Sequence, residues 1–356
     1  MKKLVNPDLI ILARESLGIT QSELAEKLKI DQGNLSRMEH GLLSIPDEII
    51  KEIADILSHP VNFFYEQVTP YAPHIHYFRK AKSIPVKDLV MIKSNAIKDR
   101  LRIEKLLDSV ELPTDYPSLT LEEYESTEII ADTLRQLWKI ASGSIKNVTA
   151  LLESKGFIIV PTDFGTRLIS DITTDTEKGI YIIFLNSAMP PDRKRFTLCH
   201  VLGHIVMHNF SESETIEKEA DRFAGEFLMP SDDIRYQLTH LNLGRLADLK
   251  RHWKVSMQAV LMRATQLGAI TERQRANLWK QISARGYRLK EPFDLGIENE
   301  KPSLLNDIIE LHKKELAFSD KELIEMLFLL ENDFSKYGLD TRPKLKLVHF
   351  GNKKTE

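Results

Sequence analysis

His200 and His204 stand four residues apart in the run Phe196-Thr197-Leu198-Cys199-His200-Val201-Leu202-Gly203-His204. On a helix, side chains four apart share a face, so both imidazoles can bind one divalent metal ion. Hydrolytic zinc sites of this kind carry a glutamate directly after the first histidine. It is the general base that takes a proton from metal-bound water. Here that position is Val201. Valine accepts no proton, so the sequence offers no catalytic residue where one is expected.

Glu217 and Asp221 follow, one helical turn apart, in Glu217-Lys218-Glu219-Ala220-Asp221-Arg222-Phe223-Ala224. A glutamate from a second helix completes a two-histidine, one-carboxylate zinc set, and an acid one turn on can orient a histidine. Cys199 adjoins His200 but points about 100° away around the helix, which places it in the core. His208 extends the spacing of four but drifts off the shared face. The residues leave three readings open. Zinc is held without hydrolysis, or the site is an empty remnant of packed histidines, or another base such as Glu219 or Glu226 sustains residual catalysis.

These groups need a scaffold. Residues 127–153 read as a helix with Ile129, Ile130, Leu134, Leu137, Trp138, Ile145, Val148, Leu151 and Leu152 as apolar positions, stopped by Gly156. Phe157–Val160 and Gly179–Leu185 are β-rich runs bounded by turn residues, and predict a small sheet packed on helices. The histidine helix continues to His208.

Residues 9–68 read as a compact set of short helices. Leu9, Leu12, Ala13 and Leu17 share a face, and Gly18 ends that helix. Thr20 and Glu23 have the spacing of a capping box, and Leu24, Ala25 and Leu28 give the next helix its buried face. Asp31 or Asn34 starts a third helix bearing Leu35 and Met38 and ended by Gly41. Ile49, Ile53, Ile56 and Leu57 supply a further apolar face.

The text Gly18-Ile19-Thr20-Gln21-Ser22-Glu23-Leu24-Ala25, with Asn34-Leu35-Ser36-Arg37-Met38-Glu39-His40-Gly41, resembles the Xre/Cro-type helix-turn-helix of bacterial and phage repressors. The resemblance implies binding to double-stranded DNA with the helix from Gln32 to His40 in the major groove. Gln32, Gly33, Asn34, Ser36 and Arg37 would then face base edges or phosphates, and Gln21 would contact a phosphate. A short module of this kind supplies few contacts, so a homodimer on a two-fold site is expected.

The second half resembles the ImmA/IrrE family of metallopeptidases at Phe196, Thr197, Leu198, His200, Leu202, Gly203, His204, Glu217, Ala220, Asp221, Phe223, Ala224, Leu228, Met229 and Pro230. Members often carry an Xre-type helix-turn-helix at the N-terminus. The resemblance implies a zincin-like domain with Zn2+ held by His200, His204 and Glu217 and with Asp221 behind the ligands. It also implies a protein partner such as a co-encoded repressor or toxin. Val201 departs from the family's glutamate. Leu243–Gly268, two helices around Trp253-Lys254-Val255-Ser256, look like a second helix-turn-helix fold, as relatives carry, and are expected to serve packing.

Acidic side chains outnumber basic ones in the helix-turn-helix, so its non-specific attraction to DNA is weak. A basic run follows over 79–105, with Arg79, Lys80, Lys82, Lys87, Lys93, Lys98, Arg100, Arg102 and Lys105. It reads as a solvated helix face, the alternative being a phosphate-contacting or dimerising arm. Downstream, Gln274–Arg285 and two amphipathic helices over 303–334 carry no catalytic constellation, and Lys344–Val348 reads as a closing strand. One cysteine excludes an intrachain disulfide and, without a secretory h-region, points to a reducing cytoplasm. No apolar run approaches the ~20 residues of a membrane span.

The expected fold is α+β and mostly helical. A helix-turn-helix domain occupies 1–68, and a linker with a basic helix 69–126. A metallopeptidase-like domain follows at 127–240, then a helical C-terminal region at 241–356. The expected function is a DNA-binding transcriptional regulator whose second domain is a degenerate peptidase serving as sensor or partner-binding module. The alternatives are an active zinc peptidase that cleaves a repressor or antitoxin, and an antitoxin-like interaction protein.

Overall fold

The computed structural model describes residues 4–70, 75–76, 84–208, 214–288, 290–292 and 296–339. Met1–Lys3, Arg79, Lys80, Lys82, Leu289, the Lys344–Val348 segment and Asn352–Glu356 lie outside the described residues. The fold is α+β and mostly helical.

Four short helices come first: α1 (Pro7–Ser16), α2 (Gln21–Leu28), α3 (Gln32–Glu39) and α4 (Asp47–Ile56). Their starts are chemically marked. The Asn6 side chain accepts from Asp8 N, Thr20 and Glu23 complete a capping box, and Asp31, not Asn34, caps α3 by accepting from Gly33 N. Leu9, Ile10, Leu12, Ala13, Leu24, Leu28, Leu35, Ile50 and Ile53 close one apolar cluster. Leu17 does not join them. It lies past the last turn of α1 and is 42% exposed, and Ile10 fills the interior instead.

The helix α5 (Val86–Leu107) overturns the expectation of a solvated basic face. Lys98, Arg100 and Arg102 are buried. Arg102 donates to Asp99, to Asp333 and to the carbonyls of Leu327 and Phe328, while Arg100 donates to Glu104 and to the Pro70 carbonyl. Buried cations persist only when paired in this way. Asp333 lies 231 residues from Arg102 in sequence, beyond the reach of any local pattern.

The sheet has the order β1-β3-β4-β2, with β1 (Ile75–His76), β2 (Ile158–Thr162), β3 (Asp171–Asp175) and β4 (Tyr181–Asn186). β2 runs parallel to β4, with Ile158 opposite Ile182, and β3 runs antiparallel to it, with Ile172 opposite Phe184. Side chains alternate between its two faces, as the period of two requires. Ile159, Ile183 and Leu185 join the cluster that holds the histidine helix. Ile158, Val160, Ile172, Ile182 and Phe184 join the cluster of α5 with α14 (Leu304–Lys314) and α15 (Asp320–Met326). The sequence reading missed β3, because Asp171-Ile172-Thr173-Thr174-Asp175 has one aliphatic residue. Its buried positions are Ile172 and three polar residues, Asp171, Thr173 and Thr174.

The continuous helix expected over 127–153 is two helices, α6 (Thr127–Leu137) and α7 (Val148–Glu153). Lys139 (φ 54°) and Gly143 (φ 84°) turn the chain left-handed between them. Arg135 fixes this turn by donating to the carbonyls of Ala141 and Gly143, and Asn147 restarts the helix by accepting from Ala150 N. Then follow α8 (Pro191–Met207), α9 (Glu214–Leu228), α10 (Ser231–Ile234), α11 (Leu243–Trp253), α12 (Met257–Gln266) and α13 (Glu272–Ala284). Leu246, Leu249, Trp253, Val260 and Leu261 of α11 and α12 share one core with α8 and α9.

Candidate functional site

Two buried ion pairs fix the first half of α8. Asp192 pairs with Lys250, which also binds Glu291 at 2.8 Å. Arg195 pairs with Glu300 and donates to the carbonyls of Ile145 and Lys254. Beyond them Cys199, His200, Val201, Leu202 and His204 are all fully buried. Burial raises the Cys199 thiol to about 12, so it behaves as an apolar core group.

Gly203 decides how close the next helix lies. A Cβ there would fall 2.9 Å from Phe223 Cδ1 on α9, so a larger residue would push the helices apart. The close approach brings Glu217 over both histidines. Its Oε1 is 3.1 Å from His204 Nε2, its Oε2 3.4 Å from His200 Nε2, and the two Nε2 atoms are 3.0 Å apart. Tetrahedral ligands at about 2.0–2.1 Å from zinc are separated by about 3.3 Å. The spacing and the N2O donor set therefore fit one zinc ion. Among the described residues, this is the group of histidine and acid side chains that converges as metal ligands would.

The protonation states fit as well. Burial lowers His204 to about 4, which keeps its ring neutral. Burial acts to raise Glu217, but hydrogen bonds from His200 and His204 outweigh it and hold the carboxyl well below the usual range. Neutral imidazole and carboxylate are the forms that bind a metal. Asp221 Oδ1 lies 2.8 Å from His200 Nδ1. With a metal bound, His200 would donate Nδ1–H to Asp221 and turn its Nε2 lone pair to the ion in place of the contact with Glu217. The Glu217 and Asp221 side chains are 41% and 45% exposed, so the group opens to solvent along α9.

Val201 has no such opening. It is fully buried and belongs to the apolar cluster of Leu198, Leu202 and Leu228. The two carboxylates considered as substitute bases are committed elsewhere. Glu219 meets His208 Nε2 at 2.9 Å, and Glu226 is buried against Arg263 while accepting from Ser231 N at 2.6 Å. His208 caps the end of α8 with its ring centroid 5.5 Å from that of His204, but is not one of the three converging residues.

On α3 the residues expected to meet DNA lie away from the buried face. Gln32 and Arg37 are exposed, and Gly33, Asn34 and Ser36 half-buried. Arg37 donates to Asn34 Oδ1 at 2.6 Å, so the two side chains are ordered as a pair. Beneath them lies a contact that sequence reasoning missed. Arg14 of α1 makes a two-pronged bond to Glu39, at 2.8 and 3.1 Å, and donates to the Ile19 carbonyl. Glu39 also accepts from Gln21 Nε2 at 2.8 Å, and Gln21 accepts from Gln32. A buried ion pair thus fixes α3 against α1 and holds Gln21 in place. No spacing rule would have linked Arg14 to Glu39, because they meet only after α1 and α3 pack.

Residues 10–59 match the helix-turn-helix family model, and residues 152–265 match the model of the IrrE N-terminal-like domain, peptidase M78. The chain fuses a helix-turn-helix to an IrrE-like domain. A search of curated proteins gives no match. The helix-turn-helix match runs from within α1 through α4, and the IrrE-like match runs from the end of α7 almost to the end of α12, so His200, His204, Glu217 and Asp221 all lie inside it. Among the described residues, no helix is long and apolar enough to cross a membrane.

Proposed function

We propose that this chain is a DNA-binding transcriptional regulator whose IrrE-like domain holds zinc and acts as a sensor or partner-binding module without cleaving peptides. One observation carries the reading: His200, His204 and Glu217 converge closely enough to hold one ion, while the residue after His200 is a buried valine. Glu219 and Glu226, the candidate substitutes for that base, are engaged by His208 and Arg263. In hydrolases such a zinc ion acts as a Lewis acid and acidifies a bound water. In this chain His200, His204 and Glu217 would hold it, and Asp221 would orient His200. No side chain on α8 stands ready to take or return a proton beside them.

Gln32, Gly33, Asn34, Ser36 and Arg37 form the proposed base- and phosphate-contacting surface, with Gln21 on the backbone. Two copies on a two-fold site would supply the contacts that one module lacks. A regulator of this kind works where the DNA is, in the cytoplasm. A co-encoded repressor, a toxin or another protein is the proposed partner of the IrrE-like domain.

Native protein purified without chelator is expected to carry about one zinc per chain and to shift a duplex selected from a random pool. His204→Ala is expected to lose the metal, and the double variant Asn34→Ala, Arg37→Ala to lose specific DNA binding while keeping its fold. A metal-free native protein contradicts the zinc reading. Unchanged binding by the double variant contradicts the assignment of α3.

A further inference from the structure

We infer that Lys87, at the start of α5 and outside the helix-turn-helix, is a phosphate-contacting residue of the DNA-binding surface. The inference rests on the DNA-binding reading above. Residues 10–59 carry nine acidic and five basic side chains, so the module alone attracts a polyanion poorly. The six cations of α5 differ in what they can contribute. Lys98, Arg100 and Arg102 are buried, Lys93 is half-buried, and Lys105 is paired with Glu66 at 2.6 Å. Lys87 is exposed.

Its position is specific. α5 packs along α1, with Asn95 donating to the Ser16 carbonyl at 2.8 Å and Ser94 to Glu15 at 3.2 Å. This carries the first turn of α5 to the α1–α2 turn. A Cβ on Gly18 would lie 3.4 Å from Lys87 Cε and 3.5 Å from Met91 Sδ. The Lys87 stem therefore lies over the turn that begins α2. In a helix-turn-helix the first of the two helices crosses the DNA backbone, and its N-terminal N–H groups favour phosphate. The Lys87 charge is felt at Glu23, in the first turn of α2, so the lysine lies close to that N-terminus.

Glu23 is the competing partner, because the Lys87 charge helps to lower its carboxyl, after the larger effect of Thr20. Glu23 Oε2 already accepts from Thr20 N at 2.6 Å and Thr20 Oγ1 at 2.8 Å, so its first task is the cap. An exposed lysine near a carboxylate that is already hydrogen-bonded remains able to reach a phosphate.

The test is the salt dependence of binding by the full chain, measured by fluorescence anisotropy on a selected duplex and on a mixed-sequence duplex. Lys87→Ala is expected to weaken both to a similar degree and to reduce the slope of log K against log salt by about one. Lys87→Arg is expected to restore the slope. Lys321→Ala, which removes an exposed charge on α15, is expected to leave it unchanged. A wild-type slope in Lys87→Ala overturns the inference, as does an equal loss in Lys321→Ala, which would mean that net charge alone is felt. Failure of the native chain to bind either duplex would instead overturn the DNA-binding reading itself.

Discussion

The polar residues of α3 and the histidines of α8 stand in opposite relations to solvent. Gln32 and Arg37 are exposed above a buried anchor, the Arg14–Glu39 pair. His200 and His204 are themselves buried, and only Glu217 and Asp221 reach the surface. The difference shows what each site tolerates. A surface like that of α3 can exchange side chains with little effect on the fold. On α8 the site is part of the core, so a change at one of its positions must satisfy packing as well as chemistry. Valine at position 201 does so. An apolar residue fits the core there, and His200, His204 and Glu217 converge beside it.

Breaking the α3 anchor is expected to have the largest effect. Glu39→Ala leaves Arg14 without its main partner and is expected to destabilise the helix-turn-helix by about 3–5 kcal/mol, read from its urea midpoint. Arg37→Ala, on the exposed side of the same helix, is expected to change stability by less than about 0.5 kcal/mol. Equal effects would erase the distinction between anchor and surface.

On the other side of the comparison, Gly203→Ala drives a methyl group against Phe223. It is expected to cost about 1–3 kcal/mol and to weaken zinc binding, because α9 carries Glu217. Isothermal titration with zinc on the purified variant checks this. Unaltered affinity would mean that Glu217 reaches the histidines without the close helix contact.

His59 provides a pH test of the N-terminal module. It is buried, and burial, reinforced by Lys98, lowers it to about 4. The folded form therefore holds the proton less well than the unfolded chain does. The stability that this neutral histidine supplies is full above about pH 6.5 and falls away as the pH drops toward 4. At pH 5 the loss is expected to be about 1–2 kcal/mol. His59→Gln is expected to flatten the profile in that window, and an unchanged profile would remove His59 as the cause.

Asp221→Asn is the mildest change. The amide keeps the shape but is a weaker acceptor for His200 Nδ1–H. Zinc affinity is expected to fall about tenfold with little change in the fold. An unchanged affinity would reduce Asp221 to a bystander.

Much of this organisation was legible in the sequence. The capping box at Thr20 and Glu23, the spacing of His200 and His204, and the acid pair Glu217 and Asp221 are local patterns, and the chain places them as those patterns imply. What was not legible depended on distant partners. The cations of α5 read as a solvated face because Asp333, Leu327 and Phe328 lie far along the chain. The strand β3 was hidden by threonines that the sheet buries. The break after α6 was hidden because Lys139 carries no turn signature, and Arg135 and Asp233 hold the segment from the side. Gly203 was recognisable as part of a motif, but the contact with Phe223 that makes glycine necessary appears only when α8 and α9 meet.

The central claim is a zinc site without a working base, and it is tested most directly by a cleavage assay on the zinc-loaded native chain. Full-length protein is incubated with helix-turn-helix repressors, itself included, and the products are read by intact mass. No zinc-dependent cleavage is expected, since loss of a general base lowers rates by about 10²–10⁴-fold. Efficient cleavage by the native chain that disappears in His200→Ala would contradict it.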